Sequence, residues 1–201
     1  MLGQYFKRSN KIKNDQLMGP EEYLASKRIL CLYGTMDEYI RRFDAFGPTL
    51  IMDLLLTLDQ ESNDPIKLII DSPGGFMDVG FSLYDTIKSL KSPVWTYGRS
   101  CQSMATLILA SGEKEHRHVY PNSRTMIHLP FAQISGNTED VKVQQKEIEK
   151  LKEMMVDSLI DCGAVKNKKQ ILKDMDREYW MSANEACEYG IVDQVVKRGD
   201  I

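Results

Sequence analysis

Twice along this 201-residue chain a short apolar run stops at a glycine-containing segment and gives way to residues at helical spacing. Ile66–Asp71 leads into Ser72-Pro73-Gly74-Gly75 and then into Val79, Leu83, Ile87 and Leu90, which share one helical face. Val94–Tyr97 leads through the glycine turn at Gly98 to Ser103, and then into the small apolar run Met104–Ala110. Strand, glycine turn and helix in alternation imply βαβ units, a largely parallel sheet, and functional groups at the C-terminal ends of the strands. Arg28–Tyr33, closed by Gly34, reads as an earlier strand of the same sheet. Ser123–His128, introduced by Pro121-Asn122 and stopped by Pro130, reads as a later one.

The remaining segments extend this α/β reading. Asp37–Phe46 and Thr49–Leu58 are helix-like on either side of Gly47-Pro48. After a polar connection over 131–137, Thr138 is placed to cap a long helix with Glu139 and Asp140 in its first turn, running to about Cys162 with Gly163 as its stop. Its apolar stripe, Ile148, Leu151, Met155 and Leu159, is thin for so long a helix, which suggests a second contact surface supplied by another subunit. The tail reads as a helix at Lys168–Met175, the pair Trp180-Met181, a helix at Ala183–Tyr189 and a last strand at Ile191–Val196. The expected organisation is one domain over 21–201 with a projecting helical segment at about 131–162, preceded by a mobile or partner-binding segment, 1–20.

Composition excludes several classes. At 42% hydrophobic, 27% charged and net charge −3, the chain is neither a nucleic-acid binder nor an anionic-membrane binder by its charge. No apolar run approaches the roughly 18 residues that span a bilayer, and the basic N-terminus lacks a signal-peptide core, so a cytoplasmic location is expected. Cys31, Cys101, Cys162 and Cys187 form no Cys-x-x-Cys pair and signal neither a disulfide framework nor a zinc site. His116 and His118 alternate in a charged segment and read as solvated surface, so no metal ligand set is assigned.

A hydroxyl nucleophile needs a base, a group that orients the base, and N–H donors for the oxyanion. Ser103, His128, a later carboxylate, and the N–H groups of Gly75 and Met104 can supply all four. Each also has a structural role open to it: Ser103 as a helix cap, His128 as a hydrogen-bonded strand end, Gly74-Gly75 as a tight turn.

Four blocks together resemble a known family. They are Ile70-Asp71-Ser72-Pro73-Gly74-Gly75, Ser103-Met104, Pro121–Pro130, and Trp180-Met181-Ser182-Ala183 continuing through Glu188-Tyr189-Gly190 to Asp193. The chain from about Tyr23 to Val196 is similar to the proteolytic subunit of the caseinolytic (Clp) protease, ClpP. The resemblance implies a crotonase-like βαβ superhelix with a protruding handle helix, and two stacked heptameric rings, a tetradecamer, around a chamber. It implies Ser103 as nucleophile, His128 as general base and Glu178 at the position of the triad aspartate, with Gly75 and Met104 as oxyanion donors. It further implies unfolded polypeptide substrates delivered by an AAA+ unfoldase that consumes the ATP, with no cofactor in this chain.

The chain departs from the family pattern in four places. Glu178 is longer than aspartate by one C–C bond, about 1.5 Å, and Asp176 and Asp174 stand nearby as substitutes. Cys101-Gln102 replaces two alanines before the serine, with Arg99 at the usual glycine position. The segment before Tyr23 lacks the usual axial-loop pattern, and the segment around Arg41–Pro48 is a few residues longer. Two other readings stand beside the serine endopeptidase: a weakly active or regulatory ring subunit assembling with a more active paralogue, and an acyl-CoA-handling enzyme on the same core.

Overall fold

The structure, a computed structural model, describes residues 12–13, 16–17, 19–36, 48–131, 134–197 and 199. The helix expected at Asp37–Phe46 and most of segment 1–20 lie outside the described residues. Within that segment the two-residue strands β1 (Ile12–Lys13) and β2 (Gln16–Leu17) pair antiparallel. Helix α1 (Pro20–Ala25) follows, with proline at its first position and the Glu22 carboxylate accepting from Gly19 N–H at 3.0 Å.

Four parallel strands form the body of the sheet: β3 (Ile29–Tyr33), β4 (Ile66–Ser72), β5 (Val94–Gln102) and β6 (Arg117–Ile127). Between them lie α2 (Pro48–Glu61), α3 (Met77–Ser89) and α4 (Met104–Ala110). After β6 come α5 (Thr138–Asp161), α6 (Lys168–Met175), β7 (Tyr179–Met181), α7 (Ala183–Tyr189) and β8 (Gln194–Val195). On the side of β6 away from β5, β8 pairs parallel with its start and β7 antiparallel with its end.

Burial explains the layering. Every residue of α4 is buried, and it joins Ile51 and Leu55 of α2, Leu83 of α3, and Met155 and Leu159 of α5 in one large core. The opposite sheet face carries a small cluster of Cys31, Ile69 and Tyr97 beneath Leu24 and Trp95. Only Met155, Val156 and Leu159 of the 24-residue α5 are buried, so the lower half of its stripe serves this chain's own core. The half of α5 before Ile148 has no buried residue.

The sheet corrects four expectations. First, β5 does not break at Gly98: it continues to Gln102 with a register shift between Gly98 and Ser100, so the strand delivers its C-terminal residue directly to Ser103. Second, β6 begins at Arg117 rather than Ser123; Gly98 pairs with Val119 and Ser100 with Arg124, so Pro121-Asn122 sits in an excursion inside the strand. Third, that extension leaves His118 buried and His116 half-buried rather than solvated, His118 stacked on Tyr97 at 4.6 Å and His116 on Trp95 at 4.3 Å, and it buries Arg117 between them. Fourth, the last strand is only Gln194–Val195.

At α5 the cap is Asn137 rather than Thr138, because the Asn137 side chain accepts from Glu139 N–H and Asp140 N–H.

Candidate active site

Ser103 stands at the junction of β5 and α4 with φ 55° and ψ −126°. A non-glycine residue with positive φ costs about 1–3 kcal/mol and persists only where its surroundings hold it. Here Ser103 N–H donates to Met126 O at 2.8 Å, and Thr106 N–H donates back to Ser103 O at 3.0 Å. Thr106 Oγ1 lies 2.8 Å from Met126 O and 3.0 Å from Cys101 O, so one buried hydroxyl ties the helix to both strands. The strained turn frees the Ser103 side chain from capping, since it makes no cap bond to α4. Its Oγ instead lies 2.9 Å from His128 Nε2. His128 is the residue after β6, and the parallel pairing of β5 with β6 places the two strand ends side by side.

The glycine pair completes the front of the site. Met36 N–H donates to Gly74 O and Phe76 N–H to Met36 O, a bridge that leaves the Gly75 N–H outside it. A Cβ on Gly75 would stand 2.3 Å from Met36 O, and one on Gly74, at φ 90°, would stand 2.7 Å from Gln102 O and 2.9 Å from Ser103 Cβ. Only glycine lets this backbone approach the serine so closely. Gly75 and Met104 line one cleft of about 900 Å³ together with Ser103 and His128. Its walls are Phe76, Met77, Pro130, Phe131, Ile148, Leu151 and Met155, with Asp78 and Glu147 as the acidic lining residues. Phe131 is 92% exposed, an aromatic ring held at the cleft without cover. Gln102 does not line the cleft; its amide turns back to Ser100 Oγ at 3.4 Å.

The carboxylate partner is not joined to the pair. β7 runs antiparallel to β6, with Met126 opposite Trp180 and Ile127 opposite Tyr179. One residue past His128, Leu129 N–H donates to Met175 O at 2.8 Å. His128 therefore faces a three-residue excursion, Asp176-Arg177-Glu178, in which Glu178 adjoins the last paired position. Glu178 Oε2 accepts from Trp180 Nε1 at 3.0 Å. Asp174 is committed elsewhere, accepting from Gln170 Nε2 at 2.6 Å and Tyr189 OH at 3.0 Å. Among the described residues no carboxylate accepts a hydrogen bond from His128.

The sequence pattern of the Clp protease family matches residues 13–199. The chain belongs to the Clp protease family. It is 33% identical over 196 residues, 96% of this chain and 94% of the relative, to a Treponema denticola protein named ATP-dependent Clp protease proteolytic subunit 2. It is 34% identical to the ATP-dependent Clp protease proteolytic subunit of Carsonella ruddii over 187 residues, 92% of each chain. It is 39% identical to that of Deinococcus radiodurans over 149 residues, 74% and 72% of the two chains. The parallel-dominated α/β sheet with its helices agrees with the fold of the Clp protease family.

Three residues of this Clp protease chain matter to the site and were not singled out from sequence: Thr106, Met36 and the Trp180 indole as a carboxylate ligand. Thr106 had a signal, since it is the one hydroxyl inside Met104–Ala110. Met36 had none, because its role is carried by its backbone.

Proposed function

We propose that this chain is a serine endopeptidase, the proteolytic subunit of an ATP-dependent Clp protease. The observation that carries the reading is the 2.9 Å approach of Ser103 Oγ to His128 Nε2 at a strained turn inside a cleft. With the His128 proton on Nδ1, Nε2 accepts the hydroxyl proton as Oγ attacks the peptide carbonyl. The carbonyl oxygen gains charge, and the N–H groups of Gly75 and Met104 are the donors that stabilise it. His128 then protonates the leaving amine, and water hydrolyses the acyl-enzyme by the same route in reverse order. Glu178, on the excursion opposite His128, is the carboxylate that orients the imidazole once it leaves the Trp180 indole. The apolar walls around Phe76, Phe131 and Leu151 favour extended segments with apolar side chains, which unfolded polypeptides expose.

The subunit works as part of two stacked heptameric rings in the cytoplasm, with an AAA+ unfoldase supplying unfolded chains and consuming the ATP. The exposed half of α5 supports ring-to-ring contact. Ile148→Glu, outside the large core of this chain, is expected to break the double ring into smaller particles, and Leu151→Glu to do so with some loss of protomer stability. Sedimentation velocity checks this, and unchanged large particles for Ile148→Glu would remove α5 from the interface.

The test of the reaction is a fluorophosphonate probe followed by peptide mapping, with adduct expected on Ser103 and none on any other serine. Turnover of unfolded peptide by the purified chain alone separates this reading from a regulatory subunit that needs a paralogue.

A further inference from the structure

The Glu178 carboxylate is bonded to the Trp180 indole and not to His128. Glu178 and Trp180 are two residues apart on an extended segment, so their side chains leave the same face. There the Glu178 carboxylate accepts from the indole N–H at 3.0 Å. The Arg124 guanidinium lies over the face of the same ring, 5.9 Å from its centroid, on the strand that pairs with β7. Both Glu178 and Trp180 are exposed, so their bond forms in the open and can be exchanged for another at small cost.

His128 stands opposite the segment that carries this carboxylate. It is flanked by the pairing of Ile127 with Tyr179 and by the tether from Leu129 to Met175, which holds the Asp176–Glu178 excursion against it. We propose that Trp180 is a positioning residue that holds Glu178 in a resting orientation away from His128, so that engaging the third member of the triad requires breaking the indole–carboxylate bond. This rests on the reading of Ser103, His128 and Glu178 as the catalytic set. The resting state lowers kcat, because a fraction of subunits lacks an oriented imidazole, and leaves KM alone, because neither Glu178 nor Trp180 lines the substrate cleft.

The test is steady-state hydrolysis of an unstructured fluorogenic peptide by the assembled protein, with Trp180→Phe, Trp180→Leu, Glu178→Gln and the Trp180→Phe/Glu178→Gln pair. Phenylalanine keeps the ring under Arg124 and removes only the donor. Losing one solvent-exposed hydrogen bond is expected to raise kcat roughly fivefold with KM unchanged. Trp180→Leu should follow it, and in the Glu178→Gln background Trp180→Phe should do nothing. An unchanged or lowered kcat in Trp180→Phe, with Ser103 still labelled by fluorophosphonate, overturns the proposal and leaves the triad reading intact. So does a rise that persists without Glu178. Absence of Ser103 labelling in the parent protein overturns the triad reading itself, and the proposal falls with it.

Discussion

Ser103→Ala is expected to lower kcat/KM for peptide hydrolysis by about 10⁴-fold or more while leaving folding and assembly unchanged. The size follows from what is removed: the only atom that forms a bond to substrate, together with the hydrogen bond at 2.9 Å that primes it. The fold is spared for a local reason. Alanine keeps the Cβ, so the φ of 55° strains it no more than it strains serine, and the Ser103 N–H bond to Met126 O is untouched. Because the hydroxyl caps nothing, helix α4 loses no bond. His128→Ala should cost nearly as much, and the double variant little more than either, since the two act as one unit. Peptidase assays at matched particle size, with thermal denaturation as the control, decide it. Retention of activity in Ser103→Ala would remove the nucleophile from this site.

How legible the molecule was depended on whether a feature is local. Lys168–Met175 and Ala183–Tyr189 were readable because Asn167 and Ser182 cap them and Gly190, at φ 84°, ends the second. Gly98 misled because the same residue serves a turn and a bulge, and only the pairing of β4, β5 and β6 distinguishes them. The 25-residue separation of Ser103 and His128 carries no distance by itself; the parallel register of β5 and β6 does. Glu178 could be named from a motif, but its orientation depends on a two-residue surplus opposite His128 and on the Trp180 indole, neither of which has a sequence signature. Arg117 was masked by its neighbours. The charged run Glu113-Lys114-Glu115 before it suggested solvent, and its partner lies 76 residues away.

That partner gives the largest expected effect on stability. Arg117 Nη2 meets Asp193 Oδ1 at 2.5 Å and its Nε meets Oδ2 at 2.9 Å, with the side chains 4% and 19% exposed. The backbones reciprocate, Arg117 N–H donating to Asp193 Oδ2 and Asp193 N–H to Arg117 O. Arg117 Nη1 also donates to the carbonyls of Cys162 and Gly190, which end α5 and α7, so a single guanidinium joins two helix ends to the start of β6. Removing it with Arg117→Met leaves a half-buried carboxylate and two helix-terminal carbonyls without a donor. A loss of about 3–5 kcal/mol is expected, and a Tm lower by roughly 10 °C. Arg117→Lys should recover little, because one ammonium cannot reproduce the fork. Replacing both partners with apolar residues should recover much more, since the penalty lies in the stranded charge.

The pH dependence has a definite sign. Burial works against the charged form of Asp193, but the hydrogen bonds and charge of Arg117 outweigh it and hold the carboxyl below its ordinary value. A depressed folded-state value means the contribution is complete above the unfolded carboxyl's pKa of about 3.9 and is lost as pH falls through the lower folded value. The Tm curves of the parent and of Asp193→Asn should therefore stand apart at neutral pH and converge on acidification below about pH 4. Curves that stay parallel into acid would show that the ion pair contributes nothing beyond its shape. Convergence would show that the charge of Asp193, through Arg117, holds α5 and α7 against the strand whose far end carries His128.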